Sequence, residues 1–383
     1  MISKPPLDGT IGNVVTPHIL LVPKGFLGDI LLTSPVIEVL KQSAVAPRIS
    51  VLCSPSLEKL ISRDPLVDDV IVFDRKGEHR GLKGLRRLAS KLREERFDRV
   101  YSFHRSPRTS LLLWMAGIKE RVAYSDAFLG FLYSRRVTRF PNVHEVVRNL
   151  QLVLADLQGE AQVKAEQLVH QGEPQGAPFA RLRAPEPRDE ELSPKVSELL
   201  GAATPYVVLA PGSAWETKQW SPERFHALAA EVVRRGTRVV ITGAPSDRAA
   251  CDAVAQGLPG ALVSNLCGET SVLEIVSLIK SARALVCNDS LALHIASAVQ
   301  TPTVAVFCAT SPAFGFGPWQ NRAVVVEKQD LFCKPCRRHG SRQCPTGTRM
   351  CMTGVSSAQV LRPLEDFMEA QGVWSRGSAS GCV

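Results

Sequence analysis

The chain has 383 residues, 45% of them hydrophobic, and a formal net charge of +9. That length suits two domains of ordinary size, each able to bury a core. The charge points to an anionic partner such as nucleic acid, a membrane surface or a phosphorylated substrate, whereas no segment reaches the roughly 18 apolar residues of a membrane span.

The first apolar run, HILLVP at residues 18–23, reads as a buried strand and not as a signal peptide. A cytoplasmic protein drawn to an anionic membrane face is therefore the default expectation. After a glycine turn, ILLTSPVIEVLKQ reads as a helix; RISVLCSP and VDDVIVFD follow as strands, GLKGLRRLASKLREERF as a helix and DRVYSFH as a strand. Between about residues 170 and 204 the pattern gives way to Pro, Gly and charge, which reads as a linker. The alternation restarts with YVVLAPGS as a strand and SPERFHALAAEVVRRG as a helix ending at Gly236. TRVVITGAP is a strand, and SDRAACDAVAQGL a helix capped by Ser246. SVLEIVSLIKSA and LALHIASAVQ read as helices, ALVCNDS and TPTVAVFCA as strands. This predicts an α/β protein with two Rossmann-like domains facing a cleft, divided as 17–170, a linker at 171–204, 205–355, and a terminal helix and tail at 356–383. Ligands of such sheets bind beyond the carboxyl ends of the strands, so the loops there are the candidate sites.

Three loops stand out. In KGFLGDILLTSP, Lys24, Gly28 and Asp29 follow the first strand. A dinucleotide fingerprint needs a third glycine and an acid after the second strand, and a P-loop needs Gly-Lys-Ser/Thr; neither is present. Asp29 is either a helix cap or a general base facing the cleft. In APGSAWETKQWSPERF, Ser213, Thr217 and Lys218 form a plausible diphosphate grip, the alternative being an exposed loop with Trp220 as a lid. In CNDSLALHIASAV, Ser290 and the helix N-terminus suit a phosphate, Asp289 a sugar hydroxyl, and His294 lies one turn further on the same face. The alternative is an Asx cap with a core histidine. Asp247, after TGAPS, is either a ribose ligand or an acid favoured by the helix dipole. No Asp-x-Asp, the usual diphosphate-metal clamp of sugar-nucleotide transferases, occurs.

Of ten cysteines, Cys53, Cys251, Cys267, Cys287 and Cys308 lie in apolar stretches and read as core. Cys333, Cys336, Cys344 and Cys351 form C-x2-C-x7-C-x6-C, which suits either a structural zinc or free thiols. Too few residues follow Cys382 for a prenylation box. The basic stretch from Arg75 to Arg108 has few interleaved aromatics, which argues against single-stranded nucleic acid and for a polyanionic lipid or sugar.

Taken in order, K-G-x-L-G-D-x-L-L-T-S-P, A-P-G-S-x-W-x-T-K-Q-W-S-P-E-R-F and N-D-S-x-x-x-H-x-A-x-A resemble the ADP-heptose:lipopolysaccharide heptosyltransferases of glycosyltransferase family 9, over roughly residues 17–365. The resemblance implies a GT-B fold, transfer from ADP-L-glycero-D-manno-heptose to the lipopolysaccharide inner core with inversion, and no metal or cofactor requirement. It implies Asp29 as base and Lys218, Asp289, Ser290 and His294 as donor ligands, with Asp247 offset from the family's donor acid. The cysteine run resembles that of heptosyltransferase II-like members. On this reading the partners are the donor, the core acceptor and the inner face of the membrane, with no nucleic acid. Transfer from another sugar nucleotide, an NAD-type oxidoreductase and a basic nucleic-acid-binding protein remain the alternatives.

Overall fold

The computed structural model describes residues 16–43, 45–171, 179–202 and 204–375. The first part of the chain runs β1 (His18–Val22), α1 (Leu27–Lys41), β2 (Arg48–Cys53), α2 (Pro55–Ile61), β3 (Asp69–Val72), α3 (Gly81–Glu94), β4 (Arg99–Ser102), α4 (Pro107–Met115), β5 (Glu120–Tyr124), β6 (Arg135–Val137), α5 (Glu145–Val153) and α6 (Gly159–Gln171). Helix α7 (Pro194–Gly201) leads into β7 (Tyr206–Ala210), α8 (Pro222–Arg234), β8 (Arg238–Ile241), α9 (Arg248–Ala255), β9 (Val263–Asn265), α10 (Val272–Ser281), β10 (Ala284–Asn288), α11 (Leu291–Val299), β11 (Thr303–Phe307) and β12 (Ala323–Glu327). The short α12 (Met350–Thr353) and α13 (Ser357–Ala370) close the described chain.

All strand pairings are parallel, in the orders β3-β2-β1-β4-β5-β6 and β12-β11-β10-β7-β8-β9. Counted from its own first strand, each sheet has the same doubly wound order. Every residue of β1, β7, β10 and β11 is buried. These central strands are covered on both faces, which is why they read as continuous apolar runs without alternation. Strand order reverses beside β1 and β4 in one sheet and beside β7 and β10 in the other. The loops after those four strands therefore splay apart into crevices.

Helix α1 continues through Pro35. A mid-helix proline leaves the carbonyl four residues earlier without its N–H donor; here the Ser34 hydroxyl donates to that carbonyl, Leu31 O, at 2.7 Å. The helix can thus pack its buried face on the first core and still reach the second domain. Leu31 belongs to the core built around β7 and β10, and Ala298 of α11 packs against the core of the first domain. A second tie is Trp319. It is fully buried among first-domain residues, its indole N–H donates to Ala180 O at 2.9 Å, and its ring stacks on His144 with centroids 4.4 Å apart.

Some elements differ from expectation. The stretch read as a linker contains α7, whose Val196 and Leu199 are buried in the second domain; Phe179, Ala180 and Leu182 are buried in the first. Residues 172–178 of that stretch, and Cys382, lie outside the described residues. Ser246 is not the cap of α9: a short 3-10 turn over Pro245–Asp247 precedes the helix, and Asp247 takes the N-cap position. Trp220 is no lid. It is fully buried and donates its indole N–H to Val355 O at 2.9 Å. Cys53, Cys251, Cys267, Cys287 and Cys308 are buried, as their apolar settings suggest.

Candidate active site

The loop after β1 delivers Lys24 and the first turn of α1. The N-cap of this helix is Phe26, which makes no side-chain cap, so Asp29 sits at the third helical position and not at the cap. Its side chain is 13% exposed, and Lys24 Nζ lies 4.0 Å from Oδ1. Lys24 is ion-paired more closely with Glu145, which opens α5 and is 1% exposed. Glu145 also holds Arg148, and Arg139 at 3.4 Å. Burial is the main force on Asp29 and pushes its carboxyl up to about 6; Lys24 opposes that rise and Glu145 adds to it. Three cations instead hold the Glu145 carboxyl below its usual range despite its burial.

The second domain contributes the loops after β7 and β10. Lys218 Nζ pairs with Asp289 Oδ2 at 2.7 Å, and Thr310 Oγ1 donates to the same oxygen at 2.7 Å. Ser213 Oγ donates to Asp289 O at 3.2 Å, joining the two loops. Asn288 accepts from Trp220 N and donates to Pro211 O, which locks their relative height. Ser290 is the N-cap of α11, yet its hydroxyl makes no capping bond. The first-turn N–H groups and this hydroxyl are what an anion would use.

Three expected donor residues play different parts. The Thr217 hydroxyl is buried, donates to Ser341 O at 2.9 Å and accepts from Ser341 N at 2.8 Å, so it anchors a loop and is not offered to the cleft. His294 is buried with no partner for Nδ1, and burial pushes its pKa down to about 4, so it brings no positive charge to a phosphate. Instead it abuts α1: a Cβ built on Gly28 would lie 3.1 Å from His294 Cδ2. Glycine here lets the helix start bearing Asp29 close onto the helix start bearing Ser290. Asp247 accepts from Ala244 N at 2.9 Å, and its carboxylate fills the space a side chain at position 212 would need. It thus shapes the Ser213 loop from behind.

Sequence reasoning passed over Glu145, Arg139, Arg148 and His144. For Glu145 and Arg148 the signal is a helix, EVVRNLQLV, with charged residues on what proves to be a fully buried segment; His144 caps it, and Arg139 lies before it. The cysteine run lies beside the second-domain loops. Cys333, Cys336, Cys344 and Cys351 are free, and among the described residues no three His, Cys, Asp or Glu side chains converge as metal ligands. The four thiols do lie within electrostatic reach of one another.

Two doubly wound domains with opposed crevices, a buried carboxylate on one side and a cation with an open helix N-terminus on the other, define the GT-B class of glycosyltransferase. The family model of glycosyltransferase family 9 (heptosyltransferase) matches residues 85–346, and the chain belongs to that family. It is 26% identical over 360 residues to lipopolysaccharide heptosyltransferase 2 of Salmonella typhimurium, covering 93% of this chain and 99% of the relative. It is 27% identical over 304 residues to lipopolysaccharide heptosyltransferase 3 of Escherichia coli strain K12, covering 78% and 84%. Among solved structures, E. coli ADP-heptose lps heptosyltransferase II matches with a TM-score of 0.72 at 24% identity, over 93% of this chain and 99% of that one. A family 9 glycosyl transferase from Veillonella parvula matches with a TM-score of 0.75 at 22% identity, over 92% and 98%.

Keeping Asp29 ionised costs stability. A carboxyl raised from 3.8 to about 6 corresponds to ~3 kcal/mol against the folded state once it is charged. The penalty is absent where Asp29 is protonated in both states and is complete above the folded value. Asp29→Asn is therefore expected to raise the Tm by several degrees at pH 8 and by almost nothing at pH 4, while cutting transfer by roughly 10²–10⁴-fold; thermal melts at both pH values with an activity assay check this. Lys24→Gln removes the attraction that lowers the Asp29 pKa. The acid limb of kcat/KM is expected to move to higher pH, and an unmoved or lowered limb would show that Asp29 is not the titrating base.

Proposed function

We propose that this enzyme transfers a heptose from ADP-heptose to the inner core of lipopolysaccharide with inversion, Asp29 serving as general base. The observation that carries this reading is the contact of Gly28 with His294. It sets a buried carboxylate of one domain beside the open N-terminus of α11 in the other. The names of the relatives supply the sugar and the acceptor.

The acceptor hydroxyl lies against Asp29, and its oxygen attacks the anomeric carbon while the carboxylate takes its proton. The bond from that carbon to the diphosphate breaks on the opposite face, and ADP leaves with the electron pair. Lys218, the Ser290 hydroxyl and the first N–H groups of α11 meet the charge that grows on the phosphate, while the Ser213 hydroxyl, donating to Asp289 O, holds the two loops together. Lys218 is held by Asp289 before the donor arrives, so the arriving diphosphate competes for a positioned cation. These groups supply the charge that a metal clamp supplies elsewhere, and no cofactor enters the reading.

Among the described residues no helix is long and apolar enough to cross a membrane. We place the enzyme at the cytoplasmic face of the inner membrane through the side of the first domain where α3 packs on α4. There Phe128 and Phe131 are 65% and 78% exposed, Trp114 is exposed, and Lys83, Arg86, Arg87 and Lys91 point outward. Apolar rings that enter the headgroup layer and basic side chains that meet anionic lipid reinforce each other.

Titration of ADP against Lys218→Ala is expected to show affinity weakened roughly 10- to 100-fold, with turnover of the wild-type enzyme unchanged by EDTA. Unchanged ADP affinity would put the nucleotide elsewhere, and turnover lost in EDTA and restored by magnesium would overturn the metal-free route. Phe128→Ser/Phe131→Ser is expected to lose co-sedimentation with anionic vesicles at low salt and to keep full transfer to a deacylated acceptor. Equal sedimentation of variant and wild type would remove this surface from the membrane contact.

A further inference from the structure

The base and the donor grip leave two rings of the second domain unused, Phe316 in the loop between β11 and β12 and His339 in the strap after β12. Phe316 is fixed through the backbone on either side of it. Gly315 O accepts from Glu145 N at 2.8 Å, and Gly317 O accepts from His144 Nε2 at 3.2 Å, so the start of α5 holds this segment. The ring packs against the core of the first domain. Its centroid lies 5.9 Å from Lys24 Nζ, which is itself 4.0 Å from Asp29 Oδ1. Phe316 is thus one lysine away from the base, although it comes from the other domain.

His339 reaches Phe316 from the phosphate side. The strap on either side of it is clamped on the second-domain loops. Cys336 N donates to Ala309 O at 2.9 Å, while Ser341 N donates to Thr217 Oγ1 at 2.8 Å and Ser341 O accepts from that hydroxyl at 2.9 Å. A Cβ on Gly340 would lie 3.1 Å from Lys218 Cγ and 3.2 Å from Trp215 Cβ, so the residue next to His339 touches the lysine itself. The His339 ring is exposed, and its centroid lies 6.4 Å from that of Phe316 with the planes tilted by 58°. The two rings therefore span from Lys218 at one end to Lys24 and Asp29 at the other. Among the described residues neither nitrogen of His339 has a hydrogen-bond partner. Partial desolvation, then the charges of Lys218, Arg338 and Lys24, hold its pKa below the usual range. Near neutral pH the imidazole thus offers one donor and one acceptor and carries no charge. Such a group suits a sugar hydroxyl and does not compete with Lys218 for phosphate.

We propose that Phe316 and His339 form one wall of the subsite for the transferred sugar, the phenyl ring packing on its C–H face and the imidazole bonding its hydroxyls. The proposal rests on the reading of Asp29 as base and Lys218 as diphosphate ligand. In an inverting displacement the attacking oxygen and the leaving phosphate oxygen lie on opposite faces of the anomeric carbon. The transferred ring therefore occupies the interval between Asp29 and Lys218, which is the interval the two side chains span. An aromatic ring supplies apolar area at a small cost in conformational freedom, and here its backbone is already fixed. Because Phe316 belongs to the second domain but is held by α5 of the first, the wall is complete only where the two domains meet.

The test is calorimetric titration of ADP and of ADP-heptose, each without acceptor, into wild type, His339→Ala, His339→Gln and Phe316→Leu. The readout is the ratio of the two affinities, which isolates the sugar from the nucleotide. His339→Ala is expected to lower the ADP-heptose affinity roughly 3- to 10-fold, the worth of one neutral hydrogen bond, with ADP affinity, acceptor KM and Tm unchanged. His339→Gln restores part of the loss, because an amide also donates and accepts, and Phe316→Leu lowers the ratio in the same direction. Since His339 is exposed, its two variants decide the matter even where Phe316→Leu fails to fold. Equal losses for ADP and ADP-heptose would make these residues mere supports of the donor loop and overturn the subsite. An unchanged ratio in the His339 variants, or a loss confined to acceptor KM, overturns it too while leaving the donor reading intact. If the wild type binds ADP but not ADP-heptose, the donor reading fails and the subsite fails with it.

Discussion

Glu145 is a carboxylate 1% exposed at the centre of three cations, and the site depends on it. A buried charge is tolerable only when paired and hydrogen-bonded, and this one is paired on every side. Its hold on Lys24 decides the state of Asp29. Were Lys24 free, it would close on Asp29 and pull that carboxyl down; tied to Glu145, it stands 4.0 Å away. Asp29 is left desolvated and under-compensated, the condition for a carboxylate basic enough to accept a proton near neutral pH. The same residue joins the domains, since its backbone N–H donates to Gly315 O at 2.8 Å.

The fold was legible because its central strands are covered on both faces and so appear as apolar blocks between helical stretches. Asp29, Lys218, Asp289 and Ser290 stood out as candidates because they follow such strands, where doubly wound sheets present their loops. The interval from about residue 105 to 171 was not. β5 opens with Glu120 and Arg121, and the three-residue β6 carries Arg135 and Arg136, where an apolar block would announce a strand. Helix α5 buries Glu145, Arg148, Asn149 and Gln151, which reads from sequence as a solvated face. Pairing of this kind links residues far apart in the chain, and no local periodicity records it.

Residue type and actual role separate most clearly at Thr217 and His294. A threonine next to a candidate phosphate lysine and a histidine one turn into a candidate anion-binding helix both invite assignment as ligands. Thr217 spends its hydroxyl on Ser341, and His294 is sealed at the contact with Gly28. Spacing picked out loops at the carboxyl ends of the strands, but it could not tell which side chains are open to the crevice and which hold the loop. That depends on strands and straps remote in sequence.

Trp319 has a mechanical consequence. Its chain segment belongs to the second domain, where its backbone N–H is held by Ser297 Oγ at 3.1 Å, while its ring lies in the core of the first. Separating the domains at this corner would strip solvent protection from Trp319 and its stacking partner His144 together. A rotation about the corner would leave both buried. The cheap relative motion is therefore a pivot, with Trp319 as the fixed socket and the travel growing with distance from it.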